Sequence, residues 1–137
     1  MPFDSGGLEV LDDEECHALL STEPLGRIVY TDQALPAIQP VNFLMHDGDV
    51  IIKTAEGSKL GAAARHAVVA FEIDRFDPAQ RTGWSVVLVG QAQLVSDPGE
   101  LDLLDQLPLS PWAPGPRDRY IRITPHIVTG RRIPPKN

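Results

Sequence analysis

The sequence predicts an α+β domain of mainly β structure, built around a small barrel, and three observations lead to this fold class. Stretches rich in Val, Ile, Tyr and Thr recur along the chain and are bounded by turn-forming residues, a pattern that is typical of strands. Most connections between these stretches have hairpin length, which favours antiparallel pairing. The helical patterns are few and short, so the helices are expected to flank the sheet.

Local signals place the individual elements. Asp12 and Glu15 have the spacing of an N-terminal helix-capping pair, and Gly90 inside a long strand pattern indicates a bulge or a barrel bend. The corner at residues 47–49 is a good hairpin signal. The predicted elements in chain order are a loose lead-in over residues 1–11, a helix ending near residue 22, strands over 26–32, 37–46 and 50–54, a helix over 58–65, strands over 67–76 and 84–96, a helix from Pro98, and closing strands over 119–124 and 127–133.

Length, charge and cysteine content exclude several classes of protein. A chain of 137 residues is expected to form a single domain over residues 1–137. The net charge of −7 argues against nucleic acid and anionic membranes as partners, so any anionic ligand must be held by locally placed cations. The sequence contains no apolar run long enough for a transmembrane helix and no secretion signal, which predicts a cytoplasmic location. Cys16 is the only cysteine, which excludes an internal disulfide and a thiolate metal site.

The stretch KTAEGSKLGAAARH (residues 53–66) has the ingredients of an anion site. Lys53 and Thr54 end a strand, and Ser58 and Lys59 begin a helix whose first backbone N–H groups have no partner within the helix. Ammonium and hydroxyl groups around such a helix start add charge-assisted hydrogen bonds to a phosphate. The spacing of a Walker phosphate loop is missing. A plain Gly-Ser helix cap with two solvated lysines fits the same residues, so both interpretations remain open at this point.

Catalytic and metal-binding motifs are not evident. The four histidines stand at no metal-ligand spacing, and the sequence contains no G-x-S-x-G. Trp84 and Trp112 are each expected either to stack on a flat ligand or fill an interface, or to plug an edge of the barrel. The VVLV run within 86–94 is apolar on both strand faces, which predicts that a second subunit covers the outer face. A basic cluster in the last third of the chain is expected either to pair with the many carboxylates or to face an anionic ligand. Its members are Arg117, Arg119, Arg122, Arg131 and Arg132.

Three stretches, GRIVYTD, LPAIQPVNFLMHDGDVIIKTAEGSKLGAAARHAVVAFEIDRFD and GWSVVLVGQAQLV, resemble in order and spacing a known family. It is the pyridoxamine 5'-phosphate oxidase-like flavoproteins of split-barrel fold, in particular the subgroup related to nitroimidazole-resistance proteins. The resemblance covers residues 8–133. It implies a six-stranded antiparallel split β-barrel with short flanking helices, assembled as a homodimer with one FMN in each of two sites at the subunit interface.

The resemblance also implies which residues hold the FMN. The phosphate-binding corner of the family corresponds here to Lys53, Thr54, Ser58 and Lys59. The hairpin along which the isoalloxazine ring lies corresponds to Gln39, Pro40, Val41 and Asn42. Trp84 and Trp112 are nominated to close the site from the partner subunit.

The function expected from this resemblance is that of an FMN-binding oxidoreductase, which transfers a hydride through the flavin to or from a small molecule. The catalytic residues and the substrate are not predicted. The alternative is a non-enzymatic flavin carrier or sensor. Related split barrels hold a deazaflavin coenzyme or haem in place of FMN. The chain lacks the extended substrate-phosphate apparatus of true pyridoxamine phosphate oxidases, so that particular activity is not expected.

Overall fold

A computed structural model describes residues 2–136 of the chain. Eight strands and three helices are present in this part of the chain. In order they are β1 (Glu9–Leu11), α1 (Asp13–Leu20), β2 (Leu25–Asp32), β3 (Leu35–Asn42), β4 (Leu44–His46), β5 (Asp49–Thr54), α2 (Lys59–Ala63), β6 (Ala67–Asp77), β7 (Thr82–Leu94), α3 (Pro98–Asp105) and β8 (Arg119–Ile133).

All eight strands belong to one antiparallel sheet. Its order is β3-β2-β6-β7-β8-β5-β4, and β1 pairs with β8 outside this path. The long strand β8 pairs with β7 along most of its length, while its other edge takes β5 near its start and β1 near its end. Residues of β3 and β5 line one common cavity although they lie far apart in the strand order, so the sheet curls round. The antiparallel split-barrel prediction is therefore confirmed, with eight strands in place of the six expected.

Alternation along the central strands separates a core side from an outer side. Val86 and Leu88 of β7 are fully buried, whereas Val87 and Val89 are partly exposed on the outer side. The inner side chains of β2, β6 and β7 form the main core together with α1. Phe43 enters this core and packs edge-on against Phe71, with a ring-centroid distance of 4.8 Å. Removal of this apolar surface from water is the principal contribution to stability.

Strand β5 is buried on both of its faces, which explains its continuous apolar sequence. Val50 and Ile52 point into the main core, and Ile51 belongs to a second cluster with side chains of α3 and β8. Within that second cluster, the hydroxyl of Tyr120 donates a hydrogen bond to Asp105 Oδ1 at 2.8 Å, which fixes α3 to the sheet. Helix α3 thus covers the outer face of the sheet beside β5.

Two strand boundaries differ from the predictions. The stretch predicted as one strand over 37–46 divides into β3 and β4, because Phe43 leaves the strand path to bury its ring in the core, where it is 4% exposed. The two closing strands predicted over 119–124 and 127–133 form the single strand β8. A register shift next to Gly90 leaves His126 as the extra residue of β8, and Pro125, which lacks an N–H, lies beside it opposite Gly90. The bulge predicted at Gly90 is confirmed.

The lead-in over residues 1–11 is more ordered than predicted. Residues 9–11 form β1, whose three residues pair with Gly130, Arg131 and Arg132. Asp4 accepts a hydrogen bond from Arg131 at 3.0 Å, and the bonds it receives from two backbone N–H groups lower the pKa of its carboxyl. Within residues 2–136, no helix combines the length and the apolar character needed to cross a lipid bilayer.

Candidate functional site

The corner between β5 and α2 is held by two hydroxyl groups. Thr54 ends β5 with its side chain buried, and Ser58 caps α2 by accepting a hydrogen bond from the Gly61 N–H at 2.9 Å. The two hydroxyl oxygens lie 2.8 Å apart and are hydrogen bonded to each other. Each hydroxyl group carries one proton, and one of these two protons forms the hydrogen bond between Thr54 and Ser58. The other proton can be donated to a ligand oxygen. Gly57 takes a positive φ of 74°, which lets the chain turn into the helix.

Helix α2 itself is shorter than predicted. It comprises five residues, Lys59–Ala63, where the sequence predicted a helix over 58–65. Within the described chain, the backbone N–H groups of Lys59 and Leu60 donate to no acceptor. A helix of little more than one turn has a weak dipole. The corner can therefore bind an anion mainly through individual hydrogen-bond donors and nearby cations, while the helix dipole contributes little.

A cavity of about 330 Å³ opens in front of this corner and is called the corner cavity below. Strand β3 forms one wall, and the end of β5 with the start of α2 forms the other. Eight of the ten predicted site residues line it, namely Gln39, Pro40, Val41, Asn42, Lys53, Thr54, Ser58 and Trp112, and the remaining lining residues are Leu25, Ala55, Leu60, Pro111, Ala113 and Arg117. The fold therefore brings the predicted ring-binding hairpin and most of the predicted phosphate corner to one place.

The corner cavity is electropositive in a chain of net charge −7. Two cationic side chains line it, Lys53 and Arg117, and no carboxylate does. The ammonium of Lys53 lies 5.4 Å from the ring centroid of Tyr120, its neighbour across the β5–β8 pair, at a distance typical of a cation–π contact. An anion entering this space meets two cations with no competing negative side chain, and a partly enclosed site strengthens such interactions.

A segment rich in proline, residues 108–116, forms the rim of the corner cavity and is called the proline loop. Asn42 connects this loop to the barrel, because its Oδ1 accepts a hydrogen bond from the Trp112 N–H at 2.7 Å and its Nδ2 donates to the Pro24 carbonyl at 3.2 Å. Arg117 fixes the far end of the loop by donating to the Pro114 carbonyl at 2.7 Å. The indole of Trp112 remains exposed at the rim. The sequence prediction missed the contacts of Asn42, because residues 18 and 70 positions away in the chain form them and no local pattern marks them.

Two predicted site residues lie elsewhere. Lys59 is exposed on the first turn of α2 and does not line the corner cavity. Trp84 sits on the core side near the start of β7, packs against the main core and lines a different cavity of about 530 Å³. That cavity shares no residue with the corner cavity, and its arginines Arg75 and Arg132 are engaged by glutamates. Within its own chain, Trp84 therefore lies at an edge of the barrel, away from the corner cavity.

The basic cluster predicted in the last third of the chain separates into two groups. Four of its arginines contact carboxylates: Arg119 with Glu56, Arg122 with Asp49 and Glu100, Arg131 with Asp4, and Arg132 with Glu9 and Glu15. Arg117 is the member that lines the corner cavity. The pairing with carboxylates is therefore confirmed for these four members, and an anionic ligand facing Arg117 stays a prediction.

The chemistry available in the corner cavity is that of binding and orientation. Its lining contains amide, hydroxyl, ammonium and guanidinium groups, and it contains no carboxyl, imidazole or thiol group among the described residues. General acid–base catalysis near neutral pH usually requires one of those three groups. No cluster of three or more potential metal ligands occurs in residues 2–136.

Known proteins with a similar sequence or fold include one curated relative and two solved structures. The uncharacterized protein Rv0080 of Mycobacterium tuberculosis is 46% identical over 128 residues, covering 90% of this chain and 84% of the relative. A Mycobacterium smegmatis structure, described as an FAD-binding protein, shares 36% identity with a TM-score of 0.77 and covers 92% of this chain and 100% of its own. A Bacteroides thetaiotaomicron structure whose name describes a 5-nitroimidazole antibiotic resistance protein has the same fold, with 12% identity and a TM-score of 0.66. The match covers 91% of this chain and 87% of that one.

The family relationship rests on nearly the whole chain. The model of the family described as "Pyridoxamine 5'-phosphate oxidase" matches residues 12–132, which include every strand that lines the corner cavity and the proline loop at its rim. The split-barrel resemblance that the sequence indicated is thereby confirmed. The chain belongs to the pyridoxamine 5'-phosphate oxidase family.

Proposed function

We propose that this chain is a cytoplasmic flavin-nucleotide-binding protein that acts as a homodimeric oxidoreductase on a small molecule. The observation that carries the proposal is the corner cavity, in which the Gln39–Asn42 wall faces the Lys53–Ser58 corner. A flavin nucleotide is a flat ring joined to a phosphate, and these two walls offer a strand for the ring and donors for the phosphate. The FAD-binding description of the Mycobacterium smegmatis relative supports a flavin as the ligand class.

In this proposal FMN is the minimal ligand of the corner cavity, and a deazaflavin coenzyme is the alternative. The hydroxyl pair of Thr54 and Ser58, together with the ammonium of Lys53, holds the phosphate. Lys59 reaches the same phosphate from the solvent side. The ring lies along Gln39 to Asn42, and the flavin supplies the hydride transfer while the protein binds and orients it.

The test of phosphate binding is a titration of purified protein with FMN, with absorbance or flavin fluorescence as the readout. Lys53→Met keeps the aliphatic stem and removes the charge, so it is expected to weaken FMN binding by about ten- to a hundredfold, the value of a hydrogen bond to a charged group. Lys136→Met, which removes an equal charge far from the cavity lining, is the matched control. If wild-type protein binds none of the three ligands FMN, FAD and deazaflavin, the proposal of a flavin-nucleotide-binding protein is wrong.

The choice between an enzyme and a carrier is decided by electron transfer. The bound flavin is reduced anaerobically, and its reoxidation by quinones, nitroaromatic compounds and oxygen is compared with that of free flavin. An oxidoreductase is expected to accelerate at least one of these reactions. Equal or slower reoxidation across the whole panel would favour a carrier or sensor.

An apolar row on the outer sheet face supports a homodimer. Cross-strand neighbours Ile38, Val29, Ala70, Val89 and Ile127 form this outer apolar row across β3, β2, β6, β7 and β8. Its end members Ile38 and Ile127 are 66% and 59% exposed. A contiguous apolar surface of this kind usually marks an interaction site. We propose that a second copy covers it, so that Trp84 of the partner subunit closes the corner cavity while Trp112 covers the rim of its own chain's cavity.

The dimer proposal is tested by sedimentation at micromolar concentration. Ile127→Lys is expected to convert the dimer to a monomer, because it places a charge on the apolar surface that the second copy would desolvate. Leu103→Lys, at an exposed position of α3 away from the row, is the control and is expected to leave the dimer intact. Sedimentation of wild-type protein as a monomer would contradict the proposal, and unchanged flavin affinity in an Ile127→Lys monomer would refute the role of the partner in the site.

A further inference from the structure

A further cavity adjoins the corner cavity and is called the turn cavity below. Its volume is about 430 Å³. One wall is the turn between α1 and β2, and the other is the proline loop. The lining residues are Ser21, Thr22, Glu23, Pro24, Asn42, Phe43, Leu44, Pro108, Leu109, Ser110 and Trp112. Asn42 and Trp112 also line the corner cavity, so the two spaces are neighbours.

The side chain of Asn42 stands at the boundary between the two cavities. Its Nδ2 donates to the Pro24 carbonyl at 3.2 Å, and its Oδ1 accepts from the Trp112 N–H at 2.7 Å. Both walls of the turn cavity are therefore fastened to the residue at which β3, one wall of the corner cavity, ends. A molecule in the turn cavity would adjoin a ring that lies along β3.

The lining of the turn cavity provides contacts for an aromatic molecule. Phe43, Leu44 and Leu109 contribute apolar surface, and the indole of Trp112, which is 69% exposed, has a ring face available for stacking. The exposed residue Ser110 adds a hydroxyl group that can bond a polar substituent. The volume lies in the lower part of the range of about 300–1,000 Å³ for small-molecule sites, which accommodates one ring or two fused rings.

The two neighbouring cavities differ in charge. Two cations and no carboxylate line the corner cavity, whereas Glu23 is the one charged side chain among the described residues that line the turn cavity. Arg75, which lines neither space, donates to Glu23 at 2.6 Å. A carboxylate has about four acceptor positions, so Glu23 can bind a ligand donor as well. An ammonium group could contact both this carboxylate and the Trp112 ring, while an anionic group would meet the carboxylate with no cation in the lining.

We propose that the turn cavity binds the small-molecule substrate of the flavin site, and that this substrate is an aromatic molecule with a positive charge or no charge. The flavin phosphate lies at the cationic corner, and the substrate lies past Asn42, stacked on Trp112 and within reach of Glu23. The inference rests on the proposed flavin function, because it places the substrate next to a ring along Gln39–Asn42. Glu23 is then a specificity-determining residue that disfavours anionic molecules.

Isothermal titration calorimetry of the full-length protein tests this inference with three matched probes. Each probe is a naphthalene ring that carries an aminomethyl, a hydroxymethyl or a carboxylate group at the same position, so the three differ in charge at neutral pH. The aminomethyl probe is expected to bind about tenfold more tightly than the carboxylate probe, the value of a hydrogen bond to a charged group, with the hydroxymethyl probe between them. Saturating FMN is expected to leave this binding in place, because FMN occupies the adjoining cavity.

Two substitutions locate the bound probe. Glu23→Gln keeps the shape and removes the charge, so it is expected to bring the affinities for the aminomethyl and carboxylate probes to within about threefold of each other. Ser21→Trp fills the turn cavity from an exposed position and is expected to abolish the binding of all three probes. Glu14→Gln, the matched control, removes an exposed carboxylate of α1 that lines neither cavity and is expected to keep the wild-type selectivity.

The possible results separate this inference from the proposed function. Wild-type protein that binds no flavin refutes the proposed function, and the turn cavity then has no flavin to serve. In protein that binds flavin, the inference alone is overturned if no probe binds, if FMN displaces the aminomethyl probe, or if Glu23→Gln keeps the wild-type selectivity. Thermal unfolding shows whether each variant is folded, and probe binding that persists in folded Ser21→Trp protein also overturns the inference.

Discussion

Glu72 is the carboxyl group whose environment most strongly couples stability to pH. It lies on the outer side of β6 opposite Arg27 of β2, and the Arg27 guanidinium is 3.2 Å from Glu72 Oε1 and 3.1 Å from Asp74 Oδ2. Burial, with a smaller contribution from the neighbouring Asp74, raises the pKa of Glu72 from 4.5 to about 7 against the opposing effect of Arg27. One arginine shared between two carboxylates does not compensate the desolvation of both.

The sign and magnitude follow from linkage. The folded protein binds a proton on Glu72 that the unfolded chain has released between about pH 4.5 and about pH 7, so the free energy of unfolding falls as pH rises through this interval. A pKa difference from 4.5 to about 7 corresponds to about 3 kcal/mol. The Glu72 side chain is still 26% exposed and therefore partly screened by solvent, so this value is the upper end of the effect. Glu72→Gln mimics the protonated side chain and is expected to remove this part of the pH dependence.

Urea unfolding at about pH 5 and about pH 8 measures the effect, at one fixed protein concentration because a dimer would make stability concentration-dependent. Wild-type protein is expected to lose up to about 3 kcal/mol more than Glu72→Gln between these two values. Asp102→Asn removes an exposed carboxylate from α3 and is the control, with the pH dependence of the wild type. A Glu72→Gln protein that tracks the wild type at both pH values would refute the reasoning.

Three further predictions concern packing and reactivity. Gly90→Ala places a Cβ 2.2 Å from a backbone carbonyl oxygen of the facing strand and is expected to lower the free energy of unfolding by about 3 kcal/mol or more. Gly99→Ala places a Cβ 3.4 Å from Asp97 Oδ2, an ordinary contact distance, and is expected to be neutral or stabilising in the same denaturation assay. Cys16 is fully buried, and burial with nearby carboxylates raises the pKa of its thiol, so it is expected to react with a thiol reagent only as fast as the protein unfolds; rapid reaction of native protein would contradict this. Tyr120→Phe removes the hydrogen bond to Asp105 and is expected to cost about 1–2 kcal/mol in urea unfolding, and an unchanged midpoint would show that the bond contributes nothing.

The positions of the strands could be predicted because each is encoded by neighbouring residues. The β-branched runs, the Asp47–Asp49 corner and the capping residues Asp12 and Ser58 act over a few positions, and the structure places elements at each of them. The two boundary errors arise where a distant contact decides the local conformation. Phe43 leaves the strand path because its ring packs against Phe71 in the core. Pro125 is tolerated within β8 because it lies opposite Gly90 at the register shift.

The sequence by itself determined the family, the order of the strands along the chain, and the residues of the β5–α2 corner, because adjacent residues carry all three. Only the tertiary structure decided that β3 and β5 face each other, that Asn42 fastens the proline loop over their cavity, and that Trp84 lies outside it. A site assembled from distant segments depends on how the sheet curls, and that curvature results from the packing of the whole core.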